Sequence, residues 1–181
     1  MKSQISKTIV ALMFSALVNV NLSYVIAGEN DPVGPMPASQ MQALVGQSLS
    51  LLQEPSAEHY IECVARLQRV EAMYPDSVLP TYQLVLQSLV FVVQYPADEQ
   101  AERILHEAEQ RIARLKEMQD VDPSDLHTLQ GFYYTDLIVR NPALGATYFR
   151  DALGHFDKAL RLNPDNGLAK QLQAQFMANM P

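Results

Sequence analysis

The chain has 181 residues, 48% of them hydrophobic, with 20 acidic against 13 basic side chains and a net charge of −7. That length and composition suit one globular domain with a real core, and the acidic balance excludes nucleic acid and anionic lipid as natural partners. Cys63 is the single cysteine, so an intramolecular disulfide is excluded and packing alone must hold the fold.

Residues 1–27 have the layout of a secretory signal. Lys2 and Lys7 form a basic start, Ile9 to Val18 an apolar stretch, and Val25-Ile26-Ala27 a small-residue cleavage site before Gly28. Asn19, Asn21 and Ser23 interrupt the apolar run, which makes cleavage the expectation over a retained anchor. No cysteine stands near the site, so a lipoprotein anchor is not expected. Without Lys2 and Lys7 the mature chain would carry 11 basic and 20 acidic residues, a net charge of −9. Residues 28–37, with three prolines and two glycines, read as a flexible linker before a helical domain at 38–181.

From there apolar residues recur at helical spacing almost to the end. The first helix is expected at 38–53, with Met41, Leu44, Val45, Leu49 and Leu52 on one face. Pro55 ends it and Ser56 begins the next, at 57–74, which carries Ile61, Val64, Leu67, Val70 and Met73. Pro75, Asp76 and Ser77 make the next break. The segment 78–95 is the most apolar, and Pro80 falls in its first turn, where proline is tolerated. Its β-branched residues at 89–93 make a strand conceivable, but its length favours helix. Gln83, Gln87 and Gln94 argue against a membrane span. After Pro96 a long charged helix is expected at 97–119, opening on Asp98 and Glu99 at the positive end of the helix dipole. Its buried stripe would be Ala101, Leu105, Ala108, Ile112 and Leu115. Asp122 with Pro123 behind it reads as the cap and first residue of a fifth helix at 123–140. A loop around Asn141, Pro142 and Gly145 leads into a helix ending near Leu162, and a last helix covers 166–179.

The stretch 151–166, DALGHFDKALRLNPDN, is the most specific signal in the chain. Ala152, Phe156, Ala159 and Pro164 stand at intervals of four, three and five. The alanines permit close approach of a neighbouring helix, Phe156 fills the gap between them, and Pro164 stops the helix. Cys63, Leu67, Val70 and Pro75 repeat the same intervals, and Ala101, Leu105 and Ala108 repeat the first two. This pattern resembles the second helix of a tetratricopeptide (TPR) repeat, and the chain looks like one of the short exported bacterial TPR-like proteins. The resemblance implies an all-α fold of about seven helices. These would form three degenerate hairpins at 38–75, 76–122 and 123–164 with a C-terminal capping helix, stacked as a superhelix or a compact bundle. The helix at 97–119 would be about three turns longer than the pattern asks, taking 3.6 residues per turn. The loop at Pro142 to Gly145 is an insertion, and Leu129 with Gly131 is the nearest approach to a first-helix signature.

No residue cluster carries a catalytic or phosphate-binding motif. His59 with Glu62 and His106 with Glu109 stand three apart, but on polar faces, and read as surface pairs and not as metal ligands. His155 with Asp151 reads the same way, and Cys63 reads as a packed thiol. The aromatic group Phe132, Tyr133, Tyr134, Tyr148 and Phe149 stands out. By the hairpin pattern Leu129 and Phe132 should face the core, while Tyr134, His127 and Gln130 could line a groove with Tyr82; the plainer alternative is that these tyrosines complete the core. The expectation is a periplasmic or secreted module binding a protein or peptide in the cell envelope, without cofactor, metal, nucleic acid, catalysis or lasting membrane anchor. The alternative is a small-ligand-binding or transporter-accessory protein, which a closed apolar cavity lined by 78–95 would favour. A helical enzyme or metalloprotein, ranked last, would need several inward-facing carboxylates or histidines around one cavity.

Overall fold

The computed structural model of the chain describes residues 38–179. The expected leader at 1–27 and linker at 28–37 lie outside the described residues. Within them the fold is all-α, with seven α-helices and no strand. In chain order these are α1 (Ala38–Leu49), α2 (Ala57–Met73), α3 (Val78–Gln94), α4 (Ala101–Leu115), α5 (Pro123–Arg140), α6 (Gly145–Leu162) and α7 (Gly167–Asn179). Short 3₁₀ turns at Ser50–Gln53 and Pro142–Leu144 follow α1 and α5.

The helix boundaries have local causes. Ser56 caps α2 by accepting from the His59 amide at 3.1 Å. Asp122 caps α5, accepting from the amides of Ser124 at 2.7 Å and Asp125 at 3.1 Å, with Pro123 in the first helical position. Asn141 accepts from the Ala143 amide at 3.2 Å, which turns the expected insertion into an ordered 3₁₀ step. The expected helix at 97–119 is shorter at both ends. Asp98 accepts from the Gln100 amide at 2.8 Å, which holds a turn ahead of Ala101. After Leu115 the chain turns again, and Asp120 sits at a φ of 65°, a left-handed conformation that ends any helix. At 15 residues α4 is therefore no longer than its neighbours, and the expected excess of three turns is absent.

Consecutive helices pack as antiparallel pairs, and the odd-numbered helices also touch one another, α1 with α3, α3 with α5 and α5 with α7. Such a pattern is a stack of helical hairpins. At its centre lies α3, with every residue but Leu79 buried. Three of its glutamines form hydrogen bonds inside the stack: Gln94 donates to the Tyr60 hydroxyl at 3.0 Å, and Gln87 to Gln83 at 3.4 Å. Leu84, Val85, Leu86, Leu89, Phe91 and Val92 are fully enclosed.

The interval pattern seen in the sequence marks real contacts. Cys63 and Leu67 are fully buried on α2 and Val70 nearly so; Ala152, Phe156 and Ala159 are fully buried on α6. Pro75 and Pro164 lie in the exposed turns that follow. Phe156 packs over Gly131 of α5, where an added Cβ would stand 2.7 Å from the ring, so only glycine lets these helices come so close. Burial pushes the Cys63 thiol up to about 12, which suits a packing residue and not a nucleophile.

Two polar clusters tie the stack together. Glu71 on α2 meets Arg111 and Arg114 on α4 at 3.1 and 3.4 Å, and Gln68 donates to Glu107 at 2.9 Å. Asn166, 7% exposed, caps α7 by accepting from the Ala169 amide at 2.9 Å. Its Nδ2 donates to Ser124 Oγ and Asp125 Oδ1 at 2.9 Å each and to Thr128 Oγ1 at 3.3 Å. Ser124 passes the chain on to the Ala159 carbonyl at 2.9 Å. One side chain thus joins α5, α6 and α7.

Candidate functional site

The face of α5 between α4 and α6 holds the aromatic residues that the sequence makes prominent. On α5, His127 and Tyr134 stand seven apart, and on α6 Tyr148 and His155 do the same, so each pair lies on one stripe of its helix. The hairpin brings the two stripes together. Tyr134 meets Tyr148 with ring centroids 5.4 Å apart and stacks on His155 at 5.6 Å, with the planes 21° apart. Tyr133 packs edge-on against Tyr134 at 5.6 Å. His155 meets His127 with centroids at 5.1 Å and Nδ1 atoms 2.9 Å apart. All five rings are half-buried.

Beside the rings a cavity of about 330 Å³ opens between α4 and α5. Glu102, Leu105, His106 and Glu109 line it from α4, Tyr133, Leu137 and Arg140 from α5, and Asn141 and Leu144 from the turn beyond. Burial, and then the Glu109 carboxylate bonded to its hydroxyl, push Tyr133 up. Tyr134 is raised too, by burial first and then by Asp151. Arg140 Nη2 lies 3.7 Å from Glu102. One turn before it on α5, Asp136 is fully buried, and burial pushes its carboxyl well above the usual range against the pull of Arg140. Neither Asp136 oxygen nor Arg140 Nη1 has a hydrogen-bond partner among the described residues.

The histidine pair is electrostatically frustrated as a cation. Burial, then His127, then Lys116 push His155 down to about 4, and burial with Lys158 lowers His127. At neutral pH both imidazoles are therefore uncharged, and one Nδ1 donates to the other.

The residues expected to share a groove separate into two groups. His127 and Tyr134 do lie together on this half-open face. Gln130, three residues after His127 on the same helix, is only 8% exposed and belongs to the interior. Tyr82 is 2% exposed inside the stack, because α3 is enclosed on all sides and has no open stripe to present. Phe149 turns away to Phe176 on α7, with centroids 5.2 Å apart, and Phe132 is buried. His155 finds His127 across the hairpin instead of standing as a surface pair with Asp151. His106 stays with Glu109 at 3.6 Å, and His59 bonds the Glu54 carbonyl. Among the described residues no group of three or more potential ligands could hold a metal ion, and no helix is long and apolar enough to cross a membrane.

Comparison with protein-family models, with curated proteins and with solved structures returns no match to this chain. Its function therefore has to be argued from the site.

Proposed function

We propose that this chain is an exported, TPR-like helical module that binds a protein or peptide segment and performs no catalysis of its own. The observation that carries this reading is the set of five half-exposed rings, Tyr133, Tyr134, Tyr148, His155 and His127, in unbroken contact beside a cavity. Rings with polar tips offer large contact area at small entropic cost and hydrogen bonds at their edges, which is what segments of a partner need. They stand on two packed helices, so the surface is held in shape before a partner arrives. The small-ligand alternative asks for an enclosed cavity lined by α3, and the cavity beside the rings is lined by α4, α5 and the turn after α5 instead.

The experiment is capture of envelope partners by the full chain and by a Tyr134→Ala/Tyr148→Ala variant. Both rings are half-exposed, so the variant should keep its helical circular dichroism and lose about 1–2 kcal/mol of stability. It should lose the partners that the native chain recovers. Recovery of the same partners in the same yield would place the binding surface elsewhere, with the polar face of α4 next to be tested. Export is checked separately: the intact mass of the mature protein should begin at Gly28, within a residue or two, and a full-length chain retained in the membrane would overturn it.

A further inference from the structure

Resting on that reading, we infer that the cavity between α4 and α5 receives a lysine or arginine side chain of the bound segment, so that the partner is basic as well as apolar. The cavity has the shape of such a side chain's needs. Leu105, Leu137 and the Tyr133 ring provide apolar wall for an aliphatic stem. Glu102 and Glu109 stand at its rim, seven residues apart on one edge of α4 and so about 10 Å apart along the axis. Their side chains are 89% and 53% exposed, and long contacts engage them, Glu102 with Arg140 at 3.7 Å and Glu109 with His106 at 3.6 Å, so both can turn toward a cation that enters.

The charge balance selects the sign. Two carboxylates face one guanidinium, and Arg140 has Glu102 at 3.7 Å, which leaves the Glu109 charge in surplus. An entering carboxylate or phosphate would meet both glutamates. An entering cation meets Glu109 and the Tyr133 ring, whose π-system attracts positive charge. Asp151 adds a carboxylate midway along the ring face, where its field reaches both the Tyr134 hydroxyl and His155. Lys116 and Lys158, which face the histidine pair, lie at the opposite end of the ring face. The surface is therefore polarised along its length, with the acidic end at the cavity. The whole chain is acidic as well, at −7, so long-range attraction and local selection agree.

The test uses the chain without residues 1–27 and two fluorescein-labelled hexapeptides, Leu-Lys-Leu-Leu-Lys-Leu and its glutamate counterpart, both acetylated and amidated, at physiological salt. Fluorescence anisotropy gives affinity, and amide shift changes in a ¹⁵N spectrum give location. The lysine peptide should bind about tenfold or more tightly than the glutamate peptide and move the resonances of Glu109, Tyr133 and Leu137. The double change Glu102→Lys/Glu109→Lys, at exposed positions, should reverse that preference. Glu62→Lys on α2, away from the cavity, should leave it unchanged. Equal binding of both peptides at the rings, or a preference that Glu62→Lys abolishes equally, would overturn the basic side chain while leaving a peptide surface standing. If neither peptide moves any resonance of the ring face, the inference and the peptide-binding reading fall together.

Discussion

Replacing Gly131 by alanine separates close helix packing from ordinary helix propensity. In an open helix position alanine is better than glycine by about 1 kcal/mol. At Gly131 a new Cβ would stand 2.7, 2.8 and 3.0 Å from Cε1, Cδ1 and Cζ of Phe156. Carbon atoms in good contact stand about 3.5–4.0 Å apart, so the ring must retreat by close to 1 Å. It has little room to do so, being fully buried, with the Phe176 ring centroid 6.1 Å away. Overpacking of this size costs about 1–3 kcal/mol. After the propensity gain, Gly131→Ala should destabilise by about 1 kcal/mol, lowering Tm by roughly 3–4 °C for a domain of this size. Gly46 on α1 and Gly154 on α6 supply the control, because a Cβ at either meets nothing within 4 Å. Gly46→Ala and Gly154→Ala should each stabilise by about 0.5–1 kcal/mol. Urea unfolding of all three variants, and of Phe156→Leu alone and combined with Gly131→Ala, measures the difference. The smaller side chain should recover most of the overpacking cost, giving a coupling of about 1 kcal/mol. If Gly131→Ala stabilises as much as the other two, the helices are not held at that distance and the account of the α5–α6 contact is wrong.

Ala159→Glu would force a charge into a fully buried site facing α5 and should cost about 3 kcal/mol or more; an unchanged melting curve would refute the packing. Asn166→Ala removes the α7 cap and three donor contacts and should cost about 2–3 kcal/mol, with hydrogen exchange speeding first in α7. Asn166→Asp keeps the cap but turns a carboxylate toward Asp125, so it should rescue only part of that loss. The histidine pair contributes an acid-sensitive part of the stability. The folded chain holds His155 near 4 and the unfolded chain near 6.5, so the unfolded chain binds more protons in that window and stability falls on acidification from about pH 6.5 to 4. Because both rings are half-exposed, solvent screening limits the loss to about 1 kcal/mol. Denaturant titrations at pH 7 and 4.5 should show a smaller drop for His155→Gln than for the native chain, and equal drops would show that the pair does not titrate with folding.

Residues that act through local spacing were legible in the sequence. The alanines and Phe156 of α6, the caps at Ser56 and Asp122, and the burial of Leu129 and Phe132 all follow from intervals of three, four and seven within one helix. The limits of α4 were not, because they depend on the Asp98 turn and on the left-handed Asp120, which periodicity does not encode. The candidate surface was half legible. His127 and Tyr134 could be named, but their meeting with His155 joins residues 28 and 21 apart, and only the hairpin's register decides it. Gln130 and Tyr82 were placed on an open face because a first helix was assumed to have one. The enclosure of α3 removes that face for Tyr82, and only the assembled stack determines how far a helix is covered.

The substantial contacts between helices all join elements one or two places apart in the chain. Among the described residues neither end of the stack packs substantially onto the other. Nearly every contact is then cheap in loop-closure entropy, so folding should be fast for a chain of this length. Protection against amide exchange should grade outward from a maximum in α3, with α1 and α7 opening well below the global unfolding free energy. A cross-link, a fusion or an added hairpin at either end would leave the central helices as they are.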